Sequence, residues 1–274
     1  MLIGAAYRIL GSRSDAEDVV QESWLRWSQV DAETVDEPRA YLLTITSRLA
    51  LNRLRQLARR KETYVGPWLP EPVSTDPRVD GPEAAQLADE VSMAMLIVLE
   101  SLSPLERAAF VLTEVFGMSA PEVAEALDRS PAAVRQLTHR ARSHVHARQP
   151  RHDVDAAKHR EITERFIAAA GGGDLATLME LLAPDVVLVT DGGGIKQAAL
   201  RPIHGMDKVL RWFAGVMSTP AAINSTFALR QVNGEAAVVV NDGDALDGVL
   251  FLTVQDDRIT AIHGIRNPEK LHAV

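Results

Sequence analysis

Apolar residues recur every three or four positions through the first half of the chain and alternate singly through the last quarter, so helices come first and a sheet closes the sequence. Met1 to Leu10 reads as a helix closed by Gly11. Ser14-Asp15-Ala16-Glu17 reads as a capping box for a second helix, with Val19, Val20, Ser23, Trp24 and Trp27 on its apolar side. Asp15, Asp18, Gln21 and Glu22 fall on the other side, a pattern that composition alone reads as a solvated face. After a loop from Val30 to Glu37, Pro38 opens a third helix that turns Leu42, Ile45 and Leu49 inward. Helical pattern resumes near Glu83 with Val91, Met95, Val98 and Leu99. It restarts at Ser103-Pro104 with Glu106 as a capping residue and ends at Gly117, past Phe110, Val111 and Phe116.

The clearest stretch is Ser119 to Arg148. Ser119-Ala120-Pro121-Glu122 starts a short helix with Val123, Ala124 and Leu127 on one face. Asp128-Arg129-Ser130 breaks it, and Ser130-Pro131 opens a second helix whose Val134, Leu137, Ala141 and Val145 form one stripe. Two short helices about a three-residue break predict a helix-turn-helix.

Beyond Asp155 the character changes. A helix from Ala156 to Ala170 stops at Gly171-Gly172-Gly173, and Asp174 caps another containing Leu175, Leu178, Met179 and Leu182. Val186 to Thr190 reads as a strand, Asp191 to Lys196 as a Gly-rich loop, and Val209, Leu210, Trp212 and Phe213 as a further helix. Strands follow near Ser225–Val232, Glu235–Val240, Val249–Gln255 and Ile259–Ile265, with Asn233-Gly234 and Asp256-Asp257 as hairpin turns. This order predicts an α+β domain, a curved antiparallel sheet wrapped on helices.

Length, boundaries and charge sharpen the picture. A chain of 274 residues holds more than one domain. Prolines at 67, 70, 72, 77 and 82 mark an extended linker, and Gln149 to Asp155 a second boundary. The expected division is 1–63, a linker at 64–82, 83–149, a short linker at 150–155, and 156–274. Trp68-Leu69 inside the first linker must dock on something or expose apolar area. With no cysteine and no close histidine spacing, no disulfide, thiolate or metal site is expected and no cofactor is called for. Apolar runs too short for a bilayer and no signal-peptide pattern give the expectation of a cytoplasmic protein without a membrane partner.

A net charge of −8 argues against indiscriminate binding of polyanions, yet the positive charge is concentrated. Arg48 to Lys61 holds six basic residues and no acid, and Arg129 to Arg148 holds five arginines, three histidines and no acid. Arg48, Asn52, Arg55 and Arg59 share one line, with Arg60 beside it, a phosphate-tracking pattern. On the second helix, Ser130, Ala132 and Ala133 permit close approach to base edges, Arg135, Gln136 and His139 can read them, and Arg140 and Arg142 can hold phosphates. A solvated basic helix has the same composition, but here turn, period and one-sided charge agree.

Ala6-Tyr7-Arg8-Ile9-Leu10-Gly11-Ser12, Asp15-Ala16-Glu17-Asp18-Val19-Val20-Gln21-Glu22 and Pro104-Leu105-Glu106-Arg107 with its helix-turn-helix resemble extracytoplasmic-function sigma factors. Trp68-Leu69-Pro70-Glu71-Pro72, Asp191-Gly192-Gly193-Gly194 with Lys196, and Asn267-Pro268-Glu269-Lys270-Leu271 resemble the subgroup with a SnoaL-like C-terminal extension. Ile195 between Gly194 and Lys196 departs from that pattern, and members usually carry further residues before the first helix, so Met1 reads as an internal or a shortened start. The resemblance implies two all-α sigma domains, a region 2 bundle and a region 4 helix-turn-helix, followed by an α+β NTF2-like cone. It implies that Asp15, Asp18, Gln21 and Glu22 grip the β′ clamp helices of core RNA polymerase and that region 4 meets the β flap. Arg48, Asn52, Arg55, Arg59 and Arg60 would then hold the −10 element of promoter DNA, and the 129–148 helix would read the −35 element. Docking of the 68–72 motif on the 191–196 and 267–271 segments would regulate promoter use in cis.

Two other readings stay open. SnoaL-like domains resemble isomerases and cyclases, so Asp191, His204 and His263 are a candidate acid–base set, or the domain takes a small ligand without turnover. A dimeric helix-turn-helix repressor would instead bind palindromic duplex without polymerase.

Overall fold

A computed structural model describes residues 1–76, 92–148, 155–219 and 224–274, and for Ala32 and Arg60 the backbone alone. The expected helix start near Glu83 and most of the 149–155 boundary lie outside the described residues. The chain divides into two compact units, Met1–Thr63 with Ala94–Gln149, and Tyr64–Met93 with Pro150–Val274.

Helices α1 (Leu2–Leu10), α2 (Arg13–Trp27), α3 (Pro38–Lys61), α4 (Met93–Glu100), α5 (Pro104–Phe110), α6 (Ala120–Leu127) and α7 (Pro131–Arg148) form the first unit, with a π turn at Val111–Val115. Gly11 closes α1 at φ 71, as its place after Leu10 predicts. Helix α2 starts two residues before the expected capping box: Ser12 is the N-cap and accepts from the Asp15 amide. The packed face also differs from the expected one. Asp15 turns inward, 9% exposed, and is paired with Arg53 at 2.5 Å, while Trp24 turns outward, 63% exposed. The expected faces for those two residues are therefore corrected: Arg53 of α3 reaches Asp15 on the packed side and neutralises it, and Trp24 lies outside the stripe that meets α3. The inner stripe of α2 is Ala16, Val19 and Ser23, and Ser23 accepts from Thr46 of α3 at 3.0 Å.

Leu43 and Leu51 of α3 share one core with Ala5, Leu112, Met118, Val123, Leu127 and Val134. Residues 1–63 and 94–149, the two helical segments expected from the sequence, pack together as one compact unit. Arg107 is buried at its centre. Its Nε donates to the Arg8 carbonyl at 2.7 Å and its Nη1 to Glu100 at 2.7 Å, and Lys61 takes the other Glu100 oxygen. Burial alone would raise the Glu100 carboxyl, but Arg107 and Lys61 outweigh it and hold Glu100 below the usual carboxylate range.

The second unit holds α8 (Ala156–Gly172), α9 (Leu175–Leu181), α10 (Met206–Met217) and a six-stranded sheet: β1 (Leu182–Asp191), β2 (Ile203–His204), β3 (Ser225–Val232), β4 (Glu235–Asp242), β5 (Ala245–Gln255) and β6 (Arg258–Ile265). Strand order is β2-β1-β6-β5-β4-β3. Hairpins join β3 through β6 by three two-residue turns, of which Asn233-Gly234 (φ 51 and 71) and Asp256-Asp257 (φ 48 and 61) are left-handed at both positions and Gly243-Asp244 at the glycine alone (φ 60). The sheet is mixed, where an antiparallel one was expected, because β1 runs parallel to β6. A hairpin forces the next strand to reverse; β1 joins the rest through β2 and α10, so helix packing sets its direction. Phe166 of α8, Leu178 of α9 and Phe213 of α10 meet Val186, Leu188, Val238, Leu252 and Ile262 on one sheet face. Register shifts in β1, β4–β5 and β5–β6 give this sheet its curvature.

Glu100→Ala leaves the Arg107 guanidinium buried without its carboxylate and should destabilise the protein by about 3–5 kcal/mol. Guanidinium unfolding followed by far-UV dichroism measures this, and a loss no larger than that of an exposed helix position would show the ion cluster to be dispensable.

Candidate nucleic-acid interface and linker clasp

The capping box predicted at Ser119 forms, with the Glu122 carboxylate accepting from the Ser119 amide at 2.7 Å. Asp128 takes a left-handed conformation (φ 53) that ends α6, and Ser130 accepts from the Ala133 amide at 3.2 Å to start α7. Val134, Leu137, Ala141 and Val145 are buried together with Thr138. The opposite face of α7 is left outward, and Ala132, Arg135, Gln136, His139 and Arg140 line an open depression of about 500 Å³. The Arg135, Gln136 and His139 side chains are exposed and engage no hydrogen-bonding or ionic partner among the described residues. The two arginines expected on phosphates each have an acidic neighbour: Arg140 meets Glu106 of α5 at 2.7 Å and Arg142 meets Glu114 of the π turn at 2.6 Å.

On α3, Asn52, Arg55 and Arg59 are exposed on the line the sequence predicts. Arg48 is spent elsewhere. Its Nε and Nη2 donate to the carbonyls of Ala126 and Glu125 at 3.1 and 2.6 Å, the unsatisfied end of α6. The Arg60 side chain lies outside the described residues. On α2, Asp18, Gln21 and Glu22 are exposed, with Glu22 paired to Arg26 at 2.6 Å, whereas Asp15 does not belong to that surface.

The second site is built around one carboxylate. Asp191, at the end of β1, is fully buried and receives four donors: Tyr64 Oη at 2.6 Å, the Leu69 amide at 2.9 Å, the Gly193 amide at 3.1 Å and Lys270 Nζ at 2.7 Å. Lys270 Nζ also donates to the Leu69 carbonyl at 2.6 Å and lies 3.3 Å from the Trp68 ring centre and 4.9 Å from that of Tyr64. Tyr64 and Trp68 meet edge to face at 4.7 Å, and Asn267 donates to Tyr64 Oη at 2.8 Å. Burial and then the bond to Asp191 raise the Tyr64 phenol above its usual range, so it stays a donor. A Cβ on Gly193, already at φ 62, would collide with the Asn267 amide, which accounts for glycine there. Farther along, the Val73 amide donates to Asn233 at 3.0 Å and Ser74 bridges to Val232, so residues 64–76 are packed on the second unit.

Trp68, Leu69, Asp191, Gly193, Asn267 and Lys270 therefore come together, and Pro70, Pro72 and Leu271 are buried near them in sequence. Lys196 does not join them, since Asp247 holds it at 2.8 Å and also takes Arg266 at 2.7 Å. Tyr64, Asn233, Glu106 and Asp247 were missed by sequence reading. Glu106 and Asn233 carried local signals there, as a capping residue and a turn residue, but neither signal points to the distant partner; Tyr64 and Asp247 carried none.

His204 and His263 register opposite Val187 and Val189 of β1. They thus share the sheet face of Asp191, not the Val186 and Leu188 face that packs on the helices. No acid–base set forms inside the cone from these three. Desolvation pushes His263 down to about 4, so it is neutral at physiological pH.

Comparison with known proteins agrees with this architecture. Residues 1–60 match the family model for sigma-70 region 2, residues 92–145 that for sigma-70 region 4, and residues 163–262 that for a SnoaL-like domain. The chain is 42% identical over 282 residues to the ECF RNA polymerase sigma factor SigJ of Mycobacterium tuberculosis, covering 98% of this chain and 89% of the relative. It is 34% identical over 272 residues to the probable ECF RNA polymerase sigma factor SigI of that organism, covering 98% and 91%. The crystal structure of M. tuberculosis SigJ superposes with a TM-score of 0.79 at 40% identity, covering 98% of this chain and 94% of that one. No helix among the described residues is long and apolar enough to cross a membrane.

A proton taken up by unfolded His263 near pH 6.5 is refused by the folded protein until about pH 4. Stability should therefore fall as pH drops through that window and level off below it. Melting temperatures of wild type and His263→Leu across the window check this, and parallel curves would exclude a titrating His263.

Proposed function

Because the chain belongs to the extracytoplasmic-function sigma factors, which direct core RNA polymerase to promoters, we propose that its exposed basic faces and its linker clasp divide that work. In this reading α7 enters the major groove of the −35 element. Arg135 and Gln136 reach base edges, Ala132 and Ala133 allow close approach, and His139, Arg140 and Arg142 sit over backbone. Asn52, Arg55 and Arg59 of α3 hold the −10 region, Arg60 beside them, and Arg48 joins only if it leaves the α6 carbonyls. Asp18, Gln21 and Glu22 of α2 meet the β′ clamp helices, and the helix-turn-helix half meets the β flap. The observation that carries the reading is the open face of α7, whose Arg135, Gln136 and His139 have no partner among the described residues. Side chains already satisfied by protein would have to break those bonds before reading DNA; these do not.

The clasp supports control in cis. Capture of residues 64–76 by the second unit removes freedom from the chain joining α3 to α4, and so from any rearrangement that promoter binding asks of it. The same geometry weighs against an enzymatic second unit. Asp191 is saturated by four donors, and His263 is a poor base at a value near 4.

In reconstituted holoenzyme, Arg135→Ala should weaken binding to a −35-bearing promoter by about 1–3 kcal/mol while leaving binding to core polymerase intact. Anisotropy titrations measure it, and unchanged affinity would place the reading face elsewhere. Asp191→Asn strands the Lys270 ammonium and should release the linker, changing run-off transcription severalfold; adding Lys270→Met should recover part of the effect. Equal transcription from all three chains would remove the clasp from regulation.

A further inference from the structure

Glu106 stands at the rim of the α7 face and has two employments. Its Oε2 completes the α5 capping box, accepting from Ser103 Oγ at 2.6 Å and from the Ser103 amide at 3.3 Å. Its Oε1 accepts from Arg140 Nε at 2.7 Å, across 34 residues of sequence. The Ser103 hydroxyl, and next the Arg140 bond, hold the Glu106 carboxyl below its usual range, so the charge persists.

An acid beside a DNA-reading helix ordinarily repels phosphate. The arrangement here has a different consequence. Arg140 lines the depression, and only its Nε is engaged; Nη1 and Nη2 have no partner among the described residues. Those two amines form the end-on fork that matches two phosphate oxygens or the O6 and N7 of guanine. A guanidinium held by Nε keeps that fork while losing rotamer freedom before DNA arrives. An isolated surface pair could not do this, since both side chains would have to be ordered for one weak bond. Glu106 differs in that its cap on α5 already immobilises it. Arg142 offers the contrast: Glu114 takes its Nη2, which breaks the fork, and Arg142 does not line the depression.

We propose that Glu106 is a positioning residue for promoter recognition, a fixed carboxylate that aims the terminal amines of Arg140 at the DNA. This rests on the reading of α7 as the −35 helix. Glutamine can still cap α5, so Glu106→Gln removes the charge without removing the helix start.

The experiment uses full-length chain in holoenzyme and compares wild type, Glu106→Gln, Arg140→Ala, the double variant and Arg135→Ala, titrated with promoter duplex at several salt concentrations. Glu106→Gln should weaken binding about fivefold at unchanged melting temperature and unchanged salt slope, and should add nothing in the Arg140→Ala background. Equal or tighter binding by Glu106→Gln with a steeper salt slope would make Glu106 a mere counter-charge and overturn the proposal. The same loss in the Arg140→Ala background would assign the effect to the cap and overturn it too. If Arg135→Ala and Arg140→Ala both bind as wild type, the −35 reading itself fails. If they weaken binding and Glu106→Gln does not, only the role of Glu106 fails.

Discussion

A buried carboxylate cannot be left half satisfied, and Asp191 makes the second unit depend on that rule. Water would supply several hydrogen bonds to this group; the fold replaces them with donors from the linker, the Gly-rich loop and the C-terminal segment. Lys270 is bound by the mirror constraint. Its ammonium, also buried, takes Asp191, the Leu69 carbonyl and the face of Trp68. Three stretches far apart in sequence are thus held by two opposite charges, neither of which is tolerable alone. The prolines of the linker fit the same accounting. Pro67, Pro70 and Pro72 bring no amide hydrogen into the buried strap, and the neighbouring Leu69 and Val73 amides have acceptors in Asp191 and Asn233.

What could be read from sequence follows the range of the interaction responsible. The helix-turn-helix was legible because a capping box, a left-handed Asp128 and a buried stripe are set within a few residues of one another. The hairpin turns at Asn233-Gly234 and Asp256-Asp257 were legible for the same reason, whereas the one at Gly243-Asp244 went unread. The side of α2 was not, because Asp15 is drawn inward by Arg53, 38 residues on, and Trp24 is displaced outward. The parallel pairing of β1 with β6 depends on how a helix packs between them, and no dipeptide signals it. At the clasp, the motif residues were found through family resemblance, yet Lys196, part of the same motif, answers to Asp247 instead. Tyr64, which carries no motif, is central.

Counting charges along the chain also overstates the field that DNA would meet. Of the arginines grouped on the two basic helices, Arg48 is turned to helix carbonyls, Arg53 to Asp15, Arg140 to Glu106 and Arg142 to Glu114. Affinity for duplex grows with the number of phosphates neutralised, so each arginine committed inside the protein subtracts from non-specific binding and from its salt dependence. The uncommitted groups at the start of α7 are those suited to base edges, where discrimination between sequences arises.

Partial commitment is not equivalent to loss. A guanidinium has five donors, and a carboxylate that takes one of them leaves the rest oriented, whereas a carboxylate that takes a terminal amine spoils the fork. Arg140 and Arg142 lie two residues apart on the same helix and fall on opposite sides of this distinction. Whether an acid near a nucleic-acid surface opposes or assists binding therefore turns on which guanidinium nitrogen it occupies and on how firmly its own backbone anchors it. Glu106, held by the cap of α5 and bonded to Nε alone, meets both conditions for assistance.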